Sequence, residues 1–301
     1  MKKKFNWCQA ALLGALWASV ALLAGCGGGG GSSTSSGSPS AEVKASAWEA
    51  QPGLPGACCN YSSLVFEEQG RVRIYSNSSS GKSNGALNLY EGTLDGVGLS
   101  RVALLIVQPS DAYIRTSAIT RYAGRYYALL YTGDAYPPSA GYAPSWAESD
   151  DGVAFRWMGP ISPYPRGFSS GQALTVDAHG VFRAWIDDVG GTLREMSSAD
   201  GLRWVDEGDM WPVSLPAKQA VFPAAAKSTH GVMLSVADAY PSTKIRILWK
   251  CDGQKNWTVL EEDSVVHQSV KGTALAWDGE RFHAYGNGMR WTRSEPACAA
   301  P

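Results

Sequence analysis

The sequence predicts an all-β chain folded as a five-bladed β-propeller, with the N-terminal strand closing the last blade. Three observations predict it. Asp-Gly is followed by Trp in "SDDGVAFRW", "SADGLRW" and "CDGQKNW". A second Gly-bearing turn signal recurs at Gly70, Gly124, Gly180, Gly231 and Gly279, at separations of 54, 56, 51 and 48 residues. Between these turns the chain runs in short, nearly continuous apolar stretches.

Each observation has a physical reading. Asp-Gly ahead of an apolar run is a hairpin signal, because Gly supplies the positive φ of the tight turn. A repeat of about 50 residues matches one propeller blade. A blade is covered on both faces by its neighbours, so its strands read as continuous apolar runs instead of alternating ones. No stretch after residue 40 carries a helical period. The second unit reads as strands "YIRTSAITRY", "RYYALLYTG", "SWAESD" and "FRWMGP". The third reads as "QALTVDA", "VFRAWID", "LREMSSA" and "LRWVDEG". The last unit lacks its outer strand, and "SAWEAQPG" at residues 46–53 resembles one. That strand closes the ring and removes an exposed sheet edge. Trp157, Trp204 and Trp257 are expected to pack between blades.

The N-terminus reads differently. Three lysines precede an apolar run at residues 10–24, too short to span a bilayer as a helix, which takes about 20 residues. This is the layout of a secretory signal. Leu23-Ala24-Gly25-Cys26 resembles the lipobox of bacterial lipoproteins, which implies cleavage before Cys26 and lipidation of that residue. Residues 27–42 are a Gly/Ser tether. The expected organisation is a signal peptide at 1–25, lipidated Cys and tether at 26–42, and the propeller at 43–301. Position 27 is Gly, not Asp, and the resemblance to Gram-negative lipoproteins then implies sorting to the outer membrane.

The net charge is −1 and no Lys/Arg cluster follows the tether, which excludes nucleic acid as a partner class. Four cysteines remain after Cys8 and Cys26: Cys58, Cys59, Cys251 and Cys298. They allow three pairings in an exported domain. Ring closure is expected to bring Cys58 or Cys59 near Cys298, where a disulfide would stabilise by about 3–5 kcal/mol. No C-x-x-C or Cys/His spacing suggests zinc.

Two family resemblances follow from the repeats. Ser198-Ala199-Asp200-Gly201-Leu202-Arg203-Trp204 resembles a sialidase Asp-box, short of the residue between Asp and Gly. The second unit, "ITRYAGRYYALLYTG" followed by "SWAESDDGVAFRW", is similar to a blade of the five-bladed arabinanase, xylosidase and fructosidase superfamily of glycoside hydrolases. That resemblance implies a pair of carboxylates near the inner strands, facing an axial pocket. Here the first inner strand carries Asn60 and Tyr61 where an Asp is expected, and the third and fourth carry no carboxylate. Asn cannot act as a general base.

The catalytic candidates are therefore Asp111 and Asp187, with Asp188 beside the latter; Glu148 falls on a third strand, away from the axis. Arg115, Arg166, Gln172, His267 and Gln268 are the expected ligand-binding residues. A donor-rich, acid-poor pocket suits a ligand with hydroxyl or carboxylate groups. No cofactor is called for, with calcium at the axial pocket as the single candidate ion. The preferred reading is a lipid-anchored propeller that binds a glycan. A glycoside hydrolase with non-standard carboxylates and a non-catalytic scaffold for envelope proteins are the alternatives.

Overall fold

The computed structural model describes residues 48–51, 63–67, 70–77, 87–93, 100–103, 105–107, 113–133, 143–162, 171–187, 193–210, 221–237, 244–264, 266, 273–286 and 289–298. The expected signal peptide, Cys26 and the tether lie outside these residues. So do Cys58 and Cys59.

The described residues form five sheets, each a propeller blade. Blade 1 is β2 (Ser63–Phe66), β3 (Arg71–Asn77), β4 (Leu87–Thr93) and β5 (Ser100–Ala103). Blade 2 is β7 (Tyr113–Tyr122), β8 (Arg125–Gly133), β9 (Ala143–Ser149) and β10 (Ala154–Pro160). Blade 3 is β11 (Gln172–Val176), β12 (Phe182–Asp187), β13 (Leu193–Ser198) and β14 (Val205–Asp209). Blade 4 is β15 (Val221–Lys227), β16 (Gly231–Ala237), β17 (Ile245–Cys251) and β18 (Thr258–Glu261). Blade 5 is β19 (Ala274–Trp277), β20 (Arg281–Gly286) and β21 (Met289–Ser294), completed by β1 (Glu49–Gln51).

The closure expected from the sequence is present. β1 pairs antiparallel with β21, matching Glu49 with Thr292 and Gln51 with Arg290. Trp48 is buried among residues of blades 4 and 5, and Arg281 bridges to Glu49 at 2.8 Å. One strand was not foreseen. β6 (Leu105–Val107), on the connection from blade 1, adds to the outer edge of blade 2 in parallel with β10.

The core is a ring of inter-blade seams. Five apolar clusters join neighbouring blades, and each draws residues from two adjacent sheets. Middle strands are accordingly buried on both faces, as in β16, whose seven residues are all buried. Outer strands face water, as in the largely exposed β14. This gradient explains why the middle strands read as unbroken apolar runs.

The turn chemistry holds with two corrections. Ala123 and Gly124 have φ of 48° and 80°, the double positive of a tight hairpin turn between β7 and β8. Gly231 is different. It begins β16, and a Cβ there would stand 2.5 Å from the Lys250 carbonyl and 2.7 Å from the Trp249 ring. Close approach, not a turn, requires glycine at that position. The second correction concerns Trp157. Aligning Ser149-Asp150-Asp151-Gly152 with Ser198-Ala199-Asp200-Gly201 puts Phe155, not Trp157, opposite Trp204. Phe155 is fully buried against Tyr75 of blade 1, while Trp157 is partly exposed. Trp204 and Trp257 do pack across seams, against Trp146 and Trp185.

The disulfide expectation also changes. Cys298 pairs with Cys251 of blade 4, so it is not available to Cys58 or Cys59. The segment after β21 crosses to the β15–β16 turn, where Glu295 accepts hydrogen bonds from Ser228 Oγ at 2.5 Å and the His230 amide at 2.9 Å. The disulfide therefore staples blade 4 to blade 5, not the two chain ends.

Candidate functional site

The five inner strands enclose an axial cavity of about 200 Å³. Its wall comprises residues 63–66 of β2, 118–121 of β7, 173–176 of β11, 223–227 of β15 and 275–277 of β19. Small side chains dominate because five strands converge there: Ala118, Ala173, Ala224 and Ala276 come from four different blades. Inner strands are tied together by side-chain bonds, such as Ser63 Oγ accepting the Ile119 amide at 2.9 Å. The polar groups of the wall are hydroxyls and two cations, Arg121 and Lys227. No carboxylate lines it among the described residues.

Arg121, Thr175, Val176 and Lys227 also line a larger cleft of about 1040 Å³, so the two spaces meet where the inner strands end. Neither cation was singled out in the sequence. The available signal was their place at the ends of inner strands β7 and β15.

Three of the candidate residues lie at the other end, where inner strands begin. Arg115 lies near the start of β7 and Asp187 ends β12, which pairs with β11. Gln172 opens β11, and its side chain is buried; its amide donates to the Leu129 carbonyl of blade 2 at 2.9 Å. That bond ties blade 3 to blade 2. Asp111, Asp188, Arg166, His267 and Gln268 lie outside the described residues. Glu148 is on β9, the third strand, where Arg125 Nη2 lies 3.3 Å from it, and it does not line the axial cavity.

The Asp-Gly turns are built for structure. Asp200 Oδ1 accepts the Leu202 and Arg203 amides at 2.9 and 2.8 Å, while Ser198 Oγ accepts the Gly201 amide at 2.9 Å. Trp204 Nε1 donates to the Gly201 carbonyl at 2.7 Å. The bond from the Arg203 amide leads in holding the Asp200 carboxyl below its ordinary range. Blade 2 repeats the arrangement with Asp151 and Ser149. The Phe155 side chain has no N–H, and the Gly152 carbonyl instead accepts Tyr75 OH from blade 1 at 3.1 Å. In each turn one carboxylate oxygen takes two backbone amides, and the turn sits on the rim between third and fourth strands.

Two further titratable groups are buried outside the cavity. His283 Nε2 pairs with Asp278 Oδ2 at 2.7 Å, and its ring lies 4.7 Å from that of Phe66. Burial pushes the His283 pKa down against the pull of Asp278. Between blades 1 and 2, Glu67 takes Arg73 at 2.8 Å and the Tyr126 hydroxyl. Burial, aided by Glu67, pushes the Tyr126 hydroxyl up to about 12.

No family model matches the chain, and no curated protein matches it in sequence. Solved structures do match in fold. A family 117 glycoside hydrolase from the marine bacterium Zobellia galactanivorans superposes with a TM-score of 0.59 at 11% identity, covering 82% of this chain and 90% of that one. A family 43 β-1,3-galactosidase with galactodeoxynojirimycin gives 0.54 at 14% identity, covering 77% and 89%. A family 43 enzyme from Xanthomonas citri complexed with xylotriose gives 0.55 at 11%, covering 84% and 91%. These likenesses show the five-bladed propeller fold of glycoside hydrolases. Chemistry resides in the site, not in the fold.

Proposed function

We propose that this protein is an exported lipoprotein, anchored through Cys26 to the outer membrane, whose propeller captures a glycan at the end of the axial cavity where inner strands begin. One observation carries the choice of binding over hydrolysis. The described wall of the cavity carries no carboxylate. Glycoside hydrolysis needs two carboxylates flanking the bond to be cleaved. The fold supports a glycan as the ligand class, since its solved neighbours are glycoside hydrolases. Arg115, Arg166 and His267 are the proposed donors, arranged around hydroxyl or carboxylate groups of the sugar.

The same neighbours favour a second reading, a glycoside hydrolase whose carboxylates are Asp111 and Asp187. Loss of a general acid or base costs about a hundredfold or more in rate, so Asp111→Asn or Asp187→Asn would lower such an activity by at least that factor. The first experiment is a glycan-array screen of the detergent-solubilised full chain, with and without calcium. Binding weakened by Arg115→Ala or His267→Ala is the expected result. Absence of binding to every glycan overturns both sugar readings and turns the search to envelope proteins.

A further inference from the structure

We infer that the seam between blades 3 and 4 holds a second ligand site, shaped for a neutral saccharide unit, at the opposite end of the inner strands from the site proposed above. It is independent of that reading. The inference starts from a comparison of the blades with one another. Three residues before the Ser of the Asp-Gly turn, blade 2 carries Trp146 and blade 3 carries Glu195. Both are on the third strand and face the second strand in the same register, Trp146 opposite Leu129 and Glu195 opposite Trp185. Trp146 is fully buried and plugs the seam against Gly201 of the next blade. In blade 1 the seam is plugged instead by Arg73 and Tyr75, which meet Gly152.

In the seam after blade 3, no described side chain covers the turn glycine in this way. A Cβ on Gly253, the turn glycine of blade 4, would meet no described atom within 4 Å. The turn itself is one residue longer, placing Trp257 four positions after Gly253 where Trp204 stands three after Gly201. Trp257 Nε1 accordingly has no hydrogen-bond partner among the described residues. The space left is the cleft of about 1040 Å³, large enough for a mono- or disaccharide.

Its wall points to the ligand class. Glu195 side-chain exposure is 9%, and both its oxygens take Lys250 Nζ, at 2.8 and 2.7 Å. Lys250 also sits over the Trp257 ring at 4.8 Å. Nearer the axis Lys227 pairs with Asp252 at 2.9 Å. Arg183 also reaches Glu195, at 3.4 Å, and the described lining as a whole carries five cations against four carboxylates, close to charge balance. An anionic ligand would be opposed by Glu195 and Asp252, and a cationic one by Lys250 and Lys227. A hydroxyl both donates and accepts, so it can bridge such a pair without adding net charge. Tyr122, resting on Gly180, supplies an aromatic wall on the axial side.

The test titrates the full chain with galactose, xylose, lactose and xylobiose by ligand-observed NMR, for the wild type, Glu195→Gln and Thr229→Trp. Thr229 is exposed and lines the cleft, so the indole of Thr229→Trp blocks the space without entering the core. It keeps the test decisive if Glu195→Gln, which weakens the partner of Lys250, fails to fold. Binding of at least one sugar, weakened about tenfold or more in Thr229→Trp, is the expected result. No binding by any of the four, or binding that survives Thr229→Trp, overturns the site. Binding that survives Thr229→Trp but is lost in His267→Ala belongs to the axial site, so the two proposals fail separately. A steep fall in affinity with added salt overturns the neutral class of ligand.

Discussion

Trp146 of blade 2 lies against Gly201 of blade 3 so closely that a Cβ at Gly201 would stand 2.1 Å from the indole. Gly201 also has a φ of 76°, in the left-handed region. Gly201→Ala therefore carries two penalties, overpacking and backbone strain, together about 3 kcal/mol. Gly253 has nearly the same φ, 77°, and open space around it. Gly253→Ala should cost only the strain, about 1 kcal/mol. Denaturant unfolding of the pair measures the difference, and equal losses would mean that the Trp146 contact does not form.

The Cys251–Cys298 bond spans 47 residues. Closing a loop of that length in the unfolded chain stabilises by about 4 kcal/mol. Cys298→Ser should lower stability by that order, and Cys58→Ser should leave this bond intact. Peptide mapping under non-reducing conditions checks the pairing directly.

Stability should fall in acid in two stages. Burial lowers the His283 pKa from 6.5, so its folded value lies below its unfolded one. Its contribution is complete above about pH 6.5 and is lost as pH falls toward the folded value. For Glu295, burial opposes ionisation, but bonds from Ser228 and His230 outweigh it and hold the carboxyl below its ordinary range. That contribution is complete above about pH 5 and lost as pH falls through the unfolded and then the folded value. His283→Gln should flatten the upper stage and Glu295→Gln the lower, read as unfolding midpoints across pH 3–8.

Asp200 accepts two turn amides and stands apart from both cavities. Asp200→Ala should cost about 1–2 kcal/mol in stability and leave ligand binding unchanged. Loss of binding at full stability would assign the Asp-Gly turn a functional role instead.

The same letters served different ends in different blades. "HGV" occurs at His179-Gly180-Val181 and at His230-Gly231-Val232. Gly180 makes a left-handed turn at φ 80°, whereas Gly231 makes room for Trp249 and the Lys250 carbonyl. A hairpin signal is local and was legible in both. The neighbour that demands a glycine comes from another strand and was not. Trp157 misled for a related reason, since counting to the next Trp ignored the Ser149 register that makes Phe155 the equivalent of Trp204. Aligning the two Ser positions would also have exposed Glu195 in the place of Trp146. Of the proposed axial residues, only Gln172 has a described side chain, and its inter-blade bond depends on how two sheets meet.

The sequence by itself determined the number of blades, the order of the four antiparallel strands in each and the closure by the N-terminal strand, but not the added β6. Those features rest on turn residues and apolar runs that act within a few positions of one another. Only the tertiary structure decided that Cys251 meets Cys298, that Trp146 covers Gly201 and that Glu195 faces Lys250. Each of these contacts joins residues about one blade apart, whose separation is set by the packing of one sheet on the next and by nothing in the local chain.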